Sequence, residues 1–108
     1  MSIARDQENL QTVTSTVITN RTSEPIMCYL HYHGENEENE IVRETINGDG
    51  GELRVEEKYS KSGAHKAKAI TIIEIELKND KKFVMDKLVN PNVVFDVTEK
   101  IFCIKDVL

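Results

Sequence analysis

His31-Tyr32-His33 is the part of the chain best suited to metal chemistry. In an extended segment, residues two apart share a face, with Cα atoms about 6.5–7 Å apart. Both imidazoles could then reach one ion if a third ligand joined them. Glu37 and Glu38 follow at a suitable distance, and His65 is the other histidine. His31, His33 and Glu37 therefore form a candidate transition-metal set. The run Gly34-Glu35-Asn36-Glu37-Glu38-Asn39-Glu40 is rich in the oxygen ligands calcium prefers, giving a second set in Glu35, Glu37, Glu38 and Glu40. It lacks the alternating Asp/Asn order and closing glutamate of an EF-hand loop. Solvent-facing histidines and an acidic connection between strands account for the same residues. The expectation is no resident cofactor, with calcium or a transition metal as the exceptions to test.

The string His-x-His-x3-Glu, from His31 to Glu37, resembles part of the first motif of cupins, which are β-barrels of comparable length. The resemblance implies a metal-dependent enzyme using His31, His33 and Glu37. Where cupins carry glycines, this chain has Pro25 and Glu44, and the second motif, with its Pro-x-Gly-x2-His spacing, is missing. Other catalysis has little to draw on. A serine nucleophile needs a base oriented by a third group, and no Gly-x-Ser-x-Gly, Walker or dinucleotide-binding pattern occurs. Cys28 and Cys103 lie inside apolar runs and read as buried, unreactive thiols, or as a bridge if the compartment were oxidising. The expectation is a protein without enzymatic activity. Asn20-Arg21-Thr22 has the form of a glycosylation acceptor.

Composition narrows the classes further. Fourteen basic against nineteen acidic side chains give a net charge of −5, which argues against a nucleic-acid binder. No run approaches the ~20 apolar residues that span a bilayer. Met1 to Asp6 lacks the apolar stretch of a signal peptide, so a cytoplasmic location with reduced cysteines is expected. With no tryptophan, three tyrosines and three phenylalanines, aromatic platforms for sugars or for a membrane interface are scarce. A chain of 108 residues suits one domain, residues 1–108.

Positioning these side chains falls to strands. Val, Ile and Thr number 29 against 10 for Ala and Leu, and Cβ-branched residues pack well on a pleated sheet. Strand candidates are Gln11–Thr19, Ile26–His33, Ile41–Ile46, Glu52–Tyr59, residues 66–78, a partner after Asn79-Asp80-Lys81, Asn92–Thr98 and Lys100–Val107. Within 66–78, alternation puts Ala69, Thr71, Ile73, Ile75 and Leu77 on one face, with Lys66, Lys68, Glu74 and Glu76 on the other. An odd loop through Asn79-Asp80-Lys81 pairs Leu77 with Phe83 and Ile75 with Met85, keeping apolar residues together. The first ten residues are an arm or a short helical turn. This reads as an all-β, antiparallel β-sandwich of about eight strands, Ig-like or jelly-roll-like.

Two patterns point to association. From Glu35 to Glu57 there are nine acids and two bases, and from Lys58 to Lys68 four lysines and no acid. Such blocks could complement one another between subunits. Val93-Val94-Phe95 and Ile101-Phe102-Cys103-Ile104 are apolar on both faces, and Ile70 and Ile72 interrupt the charged face of the long strand. A second apolar face needs cover, and another copy would supply it. Val93, Phe95, Ile101, Phe102 and Ile104 are the expected interface, with alternation leaving open which of them face the core. The leading expectation is a soluble, acidic, self-associating structural or protein-binding module that is a homo-oligomer. Carbohydrate or calcium binding by a lectin-like module is the alternative, and a cupin-like enzyme the third.

Overall fold

The computed structural model describes residues 13–61, 66–86, 88, 94–98 and 102–105. These residues are mostly antiparallel β-structure in two sheets. The strands are β1 (Thr16–Asn20), β2 (Ile26–His33), β3 (Glu40–Ile46), β4 (Gly51–Val55), β5 (Ala69–Glu76), β6 (Lys82–Asp86), β7 (Val94–Val97) and β8 (Phe102–Lys105). A 3-10 turn, Glu35–Glu37, sits between β2 and β3. One sheet has the order β4-β1-β7-β8 and the other β3-β2-β5-β6. The first contains a parallel pair, β1 with β7, so the pairing is not antiparallel throughout as expected. Among the described residues no helix is long and apolar enough to cross a membrane.

Alternation builds the core. In β2, Ile26, Cys28, Leu30 and Tyr32 are buried while Met27, Tyr29 and His31 are half-buried on the opposite face. They meet Ile73 and Ile75 of β5, Ile18 of β1, Val55 of β4 and Val97 of β7 in one cluster. Burying an Ile or Leu contributes roughly 1.5–3 kcal/mol, so this shared cluster ties the two sheets together.

The long strand departs from simple alternation. His31 pairs with Ile72 but Tyr32 with Ile70, so Thr71 is an extra residue in β5. Such a bulge reverses the faces beyond it. Ile70, expected on the charged face, is therefore in the core at 1% exposure, and Lys68, expected outside, is buried. Of the two interruptions in that face, only Ile72 remains, half-buried on the outer surface.

The next hairpin keeps the expected faces and shifts the register. Ile75 pairs with Phe83 and Ile73 with Met85, a slip of two residues from the expected pairs. The loop is Lys78-Asn79-Asp80, closed by Asp80 N–H donating to the Leu77 carbonyl at 3.0 Å. Asp80 is left-handed at φ 68°, which fits a three-residue hairpin loop. The strand expected at Glu52–Tyr59 ends at Val55, and Tyr59 instead forms an isolated bridge with Ala67.

Candidate functional site

Several members of the two candidate metal sets have local partners. His31 projects from the outer face of β2 and its Nε2 meets the Glu74 carboxylate of β5. One row along, Tyr29 donates its hydroxyl hydrogen to Glu76 Oε1 at 3.2 Å. His33 is exposed at the strand end, and Glu37 lies in the 3-10 turn at φ 61°. His31, His33 and Glu40 do line one hollow of about 490 Å³, together with Asn39, Ile41 and Thr71. Even so, no three His, Cys, Asp or Glu among the described residues stand close enough to hold a metal ion. His65 and the side chain of Glu35 lie outside the described residues. Of the remaining calcium candidates, Glu38 accepts the Lys61 N–H at 2.7 Å and Glu40 turns to lysines.

Two lysines of the basic block meet one acid of the acidic block within the chain. Lys68 Nζ lies 2.7 Å from Glu40 Oε1, and Lys58 Nζ 3.6 Å from Oε2. The hydrogen bond from Lys68 is the main cause holding the Glu40 carboxyl below its ordinary range, with Lys58 adding to it. Tyr32, next to this group, donates its hydroxyl hydrogen to the Glu56 carbonyl at 3.0 Å. Burial, then the charge of Glu40 and neighbouring acids, pushes its phenol up to about 12. Gly34 closes the cluster because a Cβ there would stand 2.7 Å from the Glu38 carbonyl oxygen and from Ser60 Oγ. Part of the charge complementarity between the two blocks is thus met inside the subunit, at Glu40.

At the opposite end the buried bonds are uncharged, and an exposed Lys78–Glu24 ion pair at 3.3 Å lies outside them. Asn20 is fully buried, and its amide donates to the carbonyls of Glu24 at 2.8 Å and Ile46 at 3.0 Å. Its Oδ1 accepts the Thr22 N–H at 2.9 Å. The side chain with the sequence form of a glycosylation acceptor is therefore a structural lock. It pins the β1–β2 turn to the β3–β4 turn, where Gly48 packs so closely that a Cβ would lie 2.8 Å from backbone atoms of Ser23 and Glu24. Cys28 is a free, buried thiol, pushed up to about 12 chiefly by burial.

Among the described residues, each sheet ends in an edge strand on two sides of the molecule. Strands β6 and β8 are terminal in their sheets and lie beside each other. On β6, Lys82, Val84 and Asp86 are exposed, Val84 by 63%, while Phe83 and Met85 are half-buried against the core. Neither Lys82 nor Asp86 has an ion-pair partner among the described residues. Of the expected interface, Val93 and Ile101 lie outside the described residues. Register pairs Phe95 with Ile104 and Val97, which is fully buried, with Phe102. On the other side β3 and β4 end their sheets and diverge from the Asn47–Gly50 turn. A cleft of about 280 Å³ opens between them over Leu30, Val42, Leu53 and Val55. Glu44 stands in its lining, between Val42 and Ile46 on the core-facing register of β3.

Sequence reasoning missed these edge residues. The readable signal on β6 was Lys82-x-Val84-x-Asp86, opposite charges equally spaced about an apolar residue. On β3 it was an acid at a core-facing position. No family model, curated protein or solved structure matches the chain.

Proposed function

We propose that the protein is a non-enzymatic, self-associating module whose two sheets form an eight-stranded β-sandwich, Ig-like or jelly-roll-like. Copies join through the side where β6 and β8 end the sheets. The observation that carries this reading is the symmetry of β6. When an edge strand pairs antiparallel with its own copy about a two-fold axis, residues equidistant from the centre face each other. With Val84 at the centre, Lys82 faces Asp86 of the second copy, and Asp86 faces its Lys82. Phe83 faces Met85 on the inner side. Every directly opposed pair is favourable, at about 0.2–1 kcal/mol each. The outer face beside β6 supports the same reading. Glu74 and Glu76 are already matched to His31 and Tyr29, so covering that face leaves no carboxylate without a partner. The C-terminal hairpin belongs to the same contact through the neighbouring edge of β8. An edge contact of this size gives a weak, concentration-dependent assembly.

Methyl resonances followed across a dilution series test this. Val84 signals are expected to move with concentration, while those of Ile73 and Ile75 in the core stay in place. Val84 signals that do not respond at any concentration would overturn the reading.

A further inference from the structure

The cleft between β3 and β4 differs from the β6 edge in what it can accept. Its lining mixes aliphatic side chains, Val42 and Leu53 among them half-buried, with five charged ones. Both bordering strands are terminal in their sheets, so each has a backbone edge that no described strand occupies. The charges in the lining are unequal in their commitments. Lys58 lies 3.6 Å from Glu40 and the exposed Arg54 4.0 Å from Glu52, whereas Glu44 and Glu56 have no ion pair among the described residues. A second copy fits badly. Antiparallel self-pairing of β3 about its middle residue sets Arg43 against Arg43, and like charges directly opposed destabilise a ladder.

We infer that this cleft binds an extended segment of a different protein by strand addition to β3, with a basic side chain opposite Glu44 and aliphatic residues on either side. Backbone hydrogen bonds supply the generic part of such recognition, and alternate side chains supply the selectivity. The core-facing positions of β3 read Val42, Glu44 and Ile46, so the complementary strand reads aliphatic-x-basic-x-aliphatic. Glu44 is the specificity-determining residue. Glu56 adds to the negative field of the cleft.

Titration with a capped Thr-Val-Thr-Lys-Thr-Val-Thr peptide, followed by amide resonances, tests the inference. The peptide should shift the signals of β3 and β4, and a control with glutamate in place of the lysine should bind at least ~10-fold more weakly. Glu44→Lys, at an exposed position, should keep the melting midpoint and reverse the preference between the two peptides. Equal binding of both peptides, or an unchanged preference in Glu44→Lys, would overturn the inference. So would binding that appears only after residues 1–12 are removed, because the chain's own N-terminal segment would then be the occupant. Val84→Lys, on the opposite side, should retain wild-type peptide affinity. A protein that stays monomeric yet binds the lysine peptide would refute self-association and leave this inference standing.

Discussion

On one side of the molecule β6 and β8 end their sheets, and on the other β3 and β4 do. Open edges invite another strand, and natural proteins manage them with charge. The two sides carry different arrangements of it. On β6, opposite charges flank Val84 symmetrically, which suits a copy. On β3, Arg43 is central and Glu44 stands at a core-facing position, which disfavours a copy and selects a basic strand. Both sides end in edge strands among the described residues, and charge order gives the two proposed partners different chemistry. The sides also differ in how they are held. The β3–β4 corner is fixed at its turn by Asn20 and at its far end by Lys68 with Glu40, whereas β6 hangs from the three-residue loop Lys78-Asn79-Asp80.

Breaking the neutral lock should have the largest effect on stability. Asn20→Leu removes the side-chain partner of the buried Ile46 carbonyl and of the Thr22 N–H and leaves the Glu24 carbonyl with the Thr22 hydroxyl alone, an expected loss of roughly 3 kcal/mol in urea unfolding. The β3 and β4 amides near the turn should lose exchange protection first. Lys68→Met comes next, at about 2 kcal/mol, because it removes a charged hydrogen bond from Glu40 but leaves Lys58 nearby. A loss from Lys68→Met equal to that from Asn20→Leu would erase the distinction between a neutral and a charged anchor.

Acid separates the two anchors more finely. The Glu40 carboxyl is lowered in the folded protein, so its contribution is present above the unfolded-state value and fades as pH falls through the folded one. The gap between wild type and Lys68→Met should therefore narrow below about pH 4. Asn20 carries no titrating group, so the Asn20→Leu gap should hold over the same range. Unfolding midpoints at neutral and acid pH measure both, and parallel narrowing would contradict the assignment.

Much of this architecture was legible in the chain, and the failures have local causes. The β2 span Ile26–His33 matches its expected limits because strict alternation and flanking Pro25 and Gly34 define it. The reversal at Thr71 was hidden, since a single extra residue leaves composition unchanged while exchanging the faces of Lys68 and Ile70. His31 and His33 were correctly placed on one strand, but spacing along one strand says nothing of the neighbour. Here that neighbour brings Glu74, and the histidine becomes a paired surface group. Asn20 matched an acceptor pattern that burial makes inaccessible. The acidic and basic blocks were plain, but whether they meet within or between chains depends on topology.

The smallest changes in stability accompany the sharpest test of the central claim. Lys82→Glu, which also stands opposite Glu76 in the ladder, and Asp86→Lys lie on the exposed face of β6, and each should alter stability by no more than about 1 kcal/mol. Each alone sets like charges against each other across the two-fold. Combined, they restore the opposed pairs with their signs exchanged. Molar mass by light scattering over a concentration series should rise for wild type, stay monomeric for both single variants, and rise again for the double variant. A double variant no better than the single ones, or single variants that assemble like wild type, would contradict self-association through β6.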